Sequence, residues 1–108
     1  MRRKMESLPE DEQVIVQGNA RSDFFGKGTL TLTTRRLVFE VATGGLLSRA
    51  KETKIDRPIG AILSFGSAGR KALEVHFEGN MEPTVLYVDN PEMWEVAIRA
   101  VFILGGAA

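Results

Sequence analysis

Few residues in the chain have side chains that act as nucleophiles or bind metals. The sequence holds one histidine, His76, and no cysteine, so it has no thiolate nucleophile, disulfide or thiolate metal ligand. His76 alternates with Val75 and Phe77, which predicts a place on the solvent-facing side of a strand. A lone histidine without cysteines does not make the usual zinc ligand set. We therefore expect no metal site.

Two glycine-containing stretches are similar to motifs of nucleotide-binding proteins and serine hydrolases. Gly26–Thr29 reads GKGT, but a phosphate-binding loop needs Ser or Thr directly after the lysine, where Gly28 stands. Gly66–Gly69 reads GSAG and lacks the G-x-S-x-G spacing of a nucleophile elbow, and no base partner for Ser67 is evident. The sequence therefore predicts no catalytic residue and no cofactor, and we expect a protein that is not an enzyme.

Two predicted loops combine adjacent apolar residues with flanking cations. Their residues are Arg21, Phe24, Phe25 and Lys27 in the first loop, and Leu46, Leu47, Arg49 and Lys51 in the second. Apolar loop tips ringed by basic residues can insert into a membrane interface or contact a partner. In the alternative, which the sequence favours, a phenylalanine folds back over the core while the leucines pack locally or against a second subunit. The net charge of zero gives little long-range attraction to anionic lipid.

A β-hairpin over residues 27–41 is the clearest secondary-structure element. Its apolar residues alternate with polar ones on both sides of a break at Thr34-Arg35, and they are Leu30, Leu32, Leu37, Phe39 and Val41. Arg35-Arg36 at the turn is expected to be solvated, with one arginine paired to a neighbouring carboxylate. A hairpin with a single apolar face is not stable alone, so this face must pack on another element.

Further strands are predicted at residues 12–18, 51–56, 59–65, 72–78 and 84–89, with loops at 19–26 and 42–49. In the first strand, Val14 and Val16 are expected to face inward. A helix is expected to follow Asn90 as N-cap and to end at Gly105-Gly106. One face of this helix is apolar, with Trp94, Ala97, Ile98 and Val101. We expect this face to plug one end of a curved antiparallel sheet and to be the packing partner of the hairpin.

The apolar residues Phe102, Ile103 and Leu104 continue beyond that stripe and predict a contact between copies in a homo-oligomer.

Lys+Arg and Asp+Glu both number 14, so the basic excess of a nonspecific nucleic-acid binder is absent and no nucleic-acid partner is expected. The longest apolar stretch, 100–108, is far shorter than the roughly 18–20 residues that span a bilayer. The lack of cysteine fits a reducing cytoplasm, so we expect a cytoplasmic protein, at most peripheral to a membrane.

The order and spacing of several short segments resemble the GRAM and bacterial PH-like domain pattern. The segments are Leu8-Pro9-Glu10 with Glu12 and Val14, Gly28 followed by Leu30-Thr31-Leu32-Thr33, Arg36-Leu37-Val38-Phe39, Pro58-Ile59-x-x-Ile62-x-x-Phe65, and Asn90-x-x-x-Trp94. The resemblance covers roughly Leu8 to Val101. Two positions depart from the pattern, since Thr34 stands where Asp or Asn is usual and Ala61 stands where Asp is frequent.

The resemblance implies a mainly β fold with one C-terminal α-helix, a PH-like barrel of seven antiparallel strands in two packed sheets capped by the helix. It implies a domain over residues 8–104, with residues 1–7 as an N-terminal tail and 105–108 as a C-terminal tail. It also implies a noncatalytic interaction module, and the sequence favours a protein-binding or self-assembling scaffold. The alternative is a peripheral lipid-binding module that uses the Phe24-Phe25 and Leu46-Leu47 loops. Only Arg21 and Lys27 stand where phosphoinositide-binding PH domains carry a dense basic pattern, so we do not expect such a site.

Overall fold

The computed structural model describes residues 11–42 and 50–106. Its strands are β1 (Val14–Ser22), β2 (Gly26–Thr33), β3 (Arg36–Ala42), β4 (Lys51–Pro58), β5 (Ile62–Ser67), β6 (Ala72–Phe77) and β7 (Thr84–Val88). A short 3-10 turn at Ile59–Ala61 joins β4 to β5. The α-helix α1 spans Pro91–Val101 and continues as a π-helical turn over Phe102–Gly106.

The seven strands form one antiparallel sheet in the order β4-β3-β2-β1-β7-β6-β5, curled into a half-barrel. Strand β1 pairs with β2 along its length but with β7 only at Ala20–Val88 and Arg21–Tyr87. The predicted class, mainly β with seven antiparallel strands and a C-terminal helix, is confirmed. The strands are hydrogen-bonded as one continuous sheet, and its division into two packed sheets stays a prediction.

The concave side of the sheet holds the hydrophobic core. The hairpin residues predicted to face inward are all buried there, together with residues of β6, β7 and α1. The core includes Leu30, Leu32, Leu37, Phe39, Val41, Leu73, Val75, Phe77, Leu86, Val88, Trp94, Ile98 and Val101. For the strands of the hairpin and for β6, the alternation of the sequence therefore assigned the side chains to the correct face, because successive strand residues point to opposite sides of a sheet.

Helix α1 begins as predicted. The Asn90 side chain accepts a hydrogen bond from the Met93 backbone N–H at 3.2 Å, and Pro91 takes the first helical position. Trp94 is buried, and its ring packs against β1 beside Gly18. The main packing partners of α1 are β5 and β6, followed by β1, and not the β2–β3 hairpin as expected; α1 and the hairpin share only the common core.

Three predicted details were wrong. Strand β1 runs on to Ser22 instead of ending at Gly18, because the polar stretch that follows pairs with the first half of β2. Val14 is exposed because a bulge between Val14 and Val16 shifts the register at the start of β1. The segment that begins at Ile59 opens as a 3-10 turn, which buries Ile59 and Ala61 before β5 starts.

Candidate ligand-binding cleft

A cleft of about 700 Å³ opens between β4 and the end of the β6–β7 hairpin. This volume lies within the range of small-ligand and peptide sites. The lining residues are Ser22, Asp23, Phe24 and Phe25 of the β1–β2 turn, Lys54, Ile55, Asp56 and Arg57 of β4, and Phe77, Asn80, Glu82, Pro83, Thr84, Val85 and Tyr87 of the β6–β7 region.

One wall of the cleft is the free edge of β4. Four consecutive residues, Lys54 to Arg57, line it, although their side chains alternate between the two faces of the sheet. Consecutive lining residues indicate that the cleft runs along the edge of the strand. Within residues 11–42 and 50–106, β4 pairs only with β3, so its other edge carries unpaired backbone groups.

The opposite wall forms where β7 separates from β1. The two strands pair only at Tyr87 and Val88 of β7, so the earlier residues Thr84 and Val85 have no partner on β1. The tight β1–β2 turn closes this end of the cleft. The Ser22 hydroxyl accepts hydrogen bonds from the backbone N–H groups of Phe24 and Phe25, both at 3.1 Å.

Three cations of the cleft and its margin lie against aromatic rings. The Arg57 guanidinium lies 5.0 Å from the ring centroid of Phe77, and the Lys54 ammonium lies 5.5 Å from that of Phe25. At the margin, Arg21 stacks on Tyr87 at 4.4 Å. These distances lie within the range of attractive cation–π contacts.

The carboxylates near the cleft are mostly engaged. Asp23 pairs with Arg21 at 3.1 Å and accepts a hydrogen bond from the Tyr87 hydroxyl, while Asp56 pairs with Arg36 at 3.0 Å. Lys54 pairs with Glu52, at 3.1 Å. The half-buried Arg57 differs, because no carboxylate of the described residues lies within salt-bridge distance and its Nη2 donates to the Glu78 carbonyl at 2.7 Å.

The predicted contact residues divide between two surfaces. Phe24, 93% exposed, and Phe25, 42% exposed, lie at the mouth of the cleft, and neither folds back over the core. Arg21 and Lys27 are direct cross-strand neighbours and line a second, shallower depression of about 630 Å³, together with Lys71. Lys51 begins β4, whereas Leu46, Leu47 and Arg49 lie outside the described residues.

Sequence reasoning missed two residues of this region. Met81, in the β6–β7 loop, is 95% exposed and follows the cleft residue Asn80. The sequence feature that could have identified Met81 is an apolar residue in a predicted turn, as for Phe24. Arg57 was assigned only to the bend before Pro58, although it stands two residues from the inward-facing Ile55 and so shares its face of β4.

A buried charged cluster lies near the hairpin turn. Glu12 is 6% exposed, and one carboxylate oxygen accepts from the Thr33 hydroxyl at 2.6 Å and from Arg36 Nε at 2.9 Å. Burial raises the pKa of Glu12, but the hydrogen bonds from Thr33 and Arg36 outweigh it and hold the pKa below its ordinary value. The pKa of Arg36 is raised, first by the hydrogen bond to Glu12. Arg36 thus bridges Glu12 and Asp56, and Arg35 pairs with Asp11, so both turn arginines have carboxylate partners where only one was expected.

The residues predicted for an oligomer contact have different environments. The Phe102 ring stacks on Phe65 within the chain, at 5.6 Å between centroids and 9° between planes. Ile103 and Leu104 are exposed, and they extend an outward apolar stripe of α1 formed by Met93, Val96 and Ala100. The contact between copies stays a prediction.

Among residues 11–42 and 50–106, no group of three or more His, Cys, Asp or Glu side chains is placed to hold a metal ion. No helix in that part of the chain has the length and apolar character needed to cross a membrane.

A comparison of the chain with protein families finds no family model that matches, and a search of curated proteins finds no matching sequence.

Proposed function

We propose that this chain is a noncatalytic interaction module that binds a protein partner in the cleft beside β4. The observation that carries the proposal is the cleft itself, which has the volume of a ligand site, aromatic walls and a free strand edge. Exposed edges and open apolar walls are costly to maintain, because they invite unselected association. A partner that covers them gives a reason for their presence.

We further propose that the fold is a PH-like barrel of the GRAM type. Strands β1 to β4 form one meander and β5 to β7 another, joined through two residue pairs between β1 and β7. This narrow junction supports a description as two sheets packed face to face. The packing of α1 on β5, β6 and β1 agrees with the role of a capping helix.

A noncatalytic role agrees with the chemistry of the lining. The Ser22 hydroxyl is occupied by backbone N–H groups of its own turn, and Asp23 is held by Arg21 and Tyr87. A general base must have a free lone pair directed at a substrate proton, and a nucleophile needs such a base beside it. Neither arrangement is present at Ser22 or Asp23.

The test is selection of random twelve-residue peptides on the immobilised full chain, followed by titration of the selected peptides into ¹⁵N-labelled protein. We expect shifts of the backbone amides of β4 residues 54–57 and of residues 84–87. Peptides that shift only amides elsewhere, or a selection without any binder, would contradict binding in the cleft.

A second candidate is a peripheral membrane module, and the observation that favours it is the pair Phe24 and Met81. Both side chains are almost fully exposed on turns at the same end of the molecule. Each buried side chain contributes roughly 1.5–3 kcal/mol, which gives weak and reversible membrane binding. The adjacent Asp23 and Glu82 oppose an anionic surface, so we place this function second.

Co-sedimentation with anionic liposomes at low salt tests the membrane candidate. We expect partial binding that decreases with salt and is lost in the double variant Phe24→Ser with Met81→Ser. The control is Val96→Ser, which removes an exposed apolar side chain from α1 instead. Absence of binding by the unmodified protein, or equal loss in the control, would refute this role.

A further inference from the structure

Arg57 is a half-buried cation in the cleft wall that has no carboxylate partner among the described residues. Its guanidinium stacks on Phe77 and makes one hydrogen bond, to the Glu78 carbonyl, although it is half-buried. A guanidinium has several N–H donors in a planar fork that matches a carboxylate. Among the described residues no carboxylate pairs with it, so the remaining donors are available to a ligand.

The surroundings of Arg57 make an anionic ligand group favourable there. The Phe77 ring centroid lies 5.0 Å from the guanidinium carbon, a contact that favours the cation at this place, and the planar N–H fork of arginine matches a carboxylate. A hydrogen bond between the charged guanidinium and a carboxylate is shorter and stronger than one between neutral groups. The neighbouring Asp56 does not neutralise it, because Asp56 pairs with Arg36.

The free edge of β4 determines the shape of ligand that reaches Arg57. The cleft runs beside four consecutive β4 residues, and an extended segment laid along it would pair with their unpaired backbone groups. A lipid headgroup offers no such row of donors and acceptors. Resting on the proposed protein-binding function, we infer that the cleft takes an extended peptide segment that adds to β4 and places an Asp or Glu carboxylate on Arg57.

The other charges of the cleft limit where the acidic residue stands in the peptide. Glu82 lies in the cleft wall without a salt-bridge partner among the described residues, and it disfavours a carboxylate on its side. Lys54 is already paired with Glu52. The preference for an acidic residue is therefore confined to the peptide position that faces Arg57, and the remaining positions are selected by the apolar and aromatic walls.

The experiment uses two peptide libraries that differ in one fixed central residue, Glu in the first and Gln in the second. Both are selected on the immobilised full chain, and binders are titrated into the ¹⁵N-labelled protein. We expect binders from the Glu library to shift the β4 amides at 54–57, and replacement of their Glu by Gln to weaken binding about tenfold. This comparison uses the unmodified protein and so does not depend on the folding of a variant.

Variants of Arg57 give a second, independent readout. Arg57→Gln should weaken the Glu peptides about tenfold, whereas Arg70→Gln, at an exposed turn outside the cleft, should leave their affinity unchanged. Selection on Arg57→Glu should enrich Lys or Arg at the central position instead of Glu.

The possible results distinguish the role inferred for Arg57 from the proposed protein-binding function on which it rests. Peptides that bind in the cleft equally well with Glu or Gln would overturn the role of Arg57 and leave the protein-binding function in place. If no peptide shifts the cleft amides, the function and the inference both fail. If anionic vesicles shift those amides and peptides do not, the ligand is a lipid surface and the inference is overturned.

Discussion

Replacement of Glu12 by Gln tests the one buried charge of the described chain that the sequence did not lead us to expect. The variant keeps the shape of the side chain and an acceptor for Thr33, but it removes the negative charge beside Arg36. Breaking a fully buried ion pair costs about 3–5 kcal/mol. Because the Arg36 side chain is 32% exposed and keeps its pairing with Asp56, we expect Glu12→Gln to lose about 2 kcal/mol of unfolding free energy near neutral pH.

The pH dependence of this loss identifies its cause. The pKa of Glu12 is held below its ordinary value of 4.5, so the folded state gains from the ionised form. The gain is fully present above pH 4.5 and is lost as the pH falls through the lowered pKa of the folded state. The difference between wild type and Glu12→Gln should therefore shrink as the pH falls below 4.5.

Urea denaturation of both proteins over this pH range measures the effect, with Glu74→Gln as the matched control. Glu74 is an exposed strand carboxylate, and its replacement should change stability by less than about 0.5 kcal/mol. A stability difference for Glu12→Gln that stays constant from neutral to acidic pH would refute the assignment to the ionised carboxylate.

Three further predictions concern packing and assembly. Gly28→Ala should lower the free energy of unfolding by about 3 kcal/mol in urea denaturation, because the added Cβ would lie 2.1 Å from the backbone oxygen of Glu40. The control Gly66→Ala should be nearly neutral, because the space around Gly66 is open. Trp94→Ala should cost about 3–5 kcal/mol in the same assay, and an unchanged midpoint would show that the ring is not part of the core. The double variant Ile103→Ser with Leu104→Ser should reduce the mass measured by light scattering, and a parent protein that is monomeric at high concentration would contradict the predicted contact.

Local pattern was sufficient for most of the sheet and for the helix. The alternation of Leu30, Leu32, Leu37 and Phe39 fixed both strands of the hairpin and their inward face, because a strand repeats every two residues. The start of α1 was equally clear from Asn90 and Pro91, whose capping chemistry is local.

Pattern failed where a residue's environment depends on distant parts of the chain. Residues 19–22 look like a loop because they are mostly polar, yet pairing with β2 draws them into β1. Glu12 opens the predicted first strand at the end of an acidic stretch, and its burial depends on Thr33 and Arg36, more than twenty residues away. Nothing in the sequence near Glu12 indicates these two contacts.

The same limit applies to the cleft. Arg57, Phe77 and Tyr87 come from β4, β6 and β7, and only the curl of the sheet brings their strands to one opening. Phe24 and Phe25, which the sequence places together in a predicted loop, lie at the mouth of the cleft, and their role as contact residues stays a prediction. The residues of the cleft walls were not predictable from their spacing in the sequence, because β4 and β7 are far apart along the chain.

The two outer strands of the half-barrel, β4 and β5, differ in how far the rest of the described chain covers their free edges. On β5, a bulge between Ile62 and Ser64 interrupts the ladder, and the Ser67 backbone N–H donates to Glu95 of α1 at 3.2 Å. The pKa of Glu95 is lowered, first by the Arg99 hydrogen bond and then by that of Ser67, so the helix covers this edge with a charged acceptor. On β4, Pro58 and the charged side chains discourage unselected pairing, but within the described residues no helix or strand covers the edge along the cleft. This difference between the two edges supports our proposal that a partner segment adds to β4, beside Arg57, and not to β5.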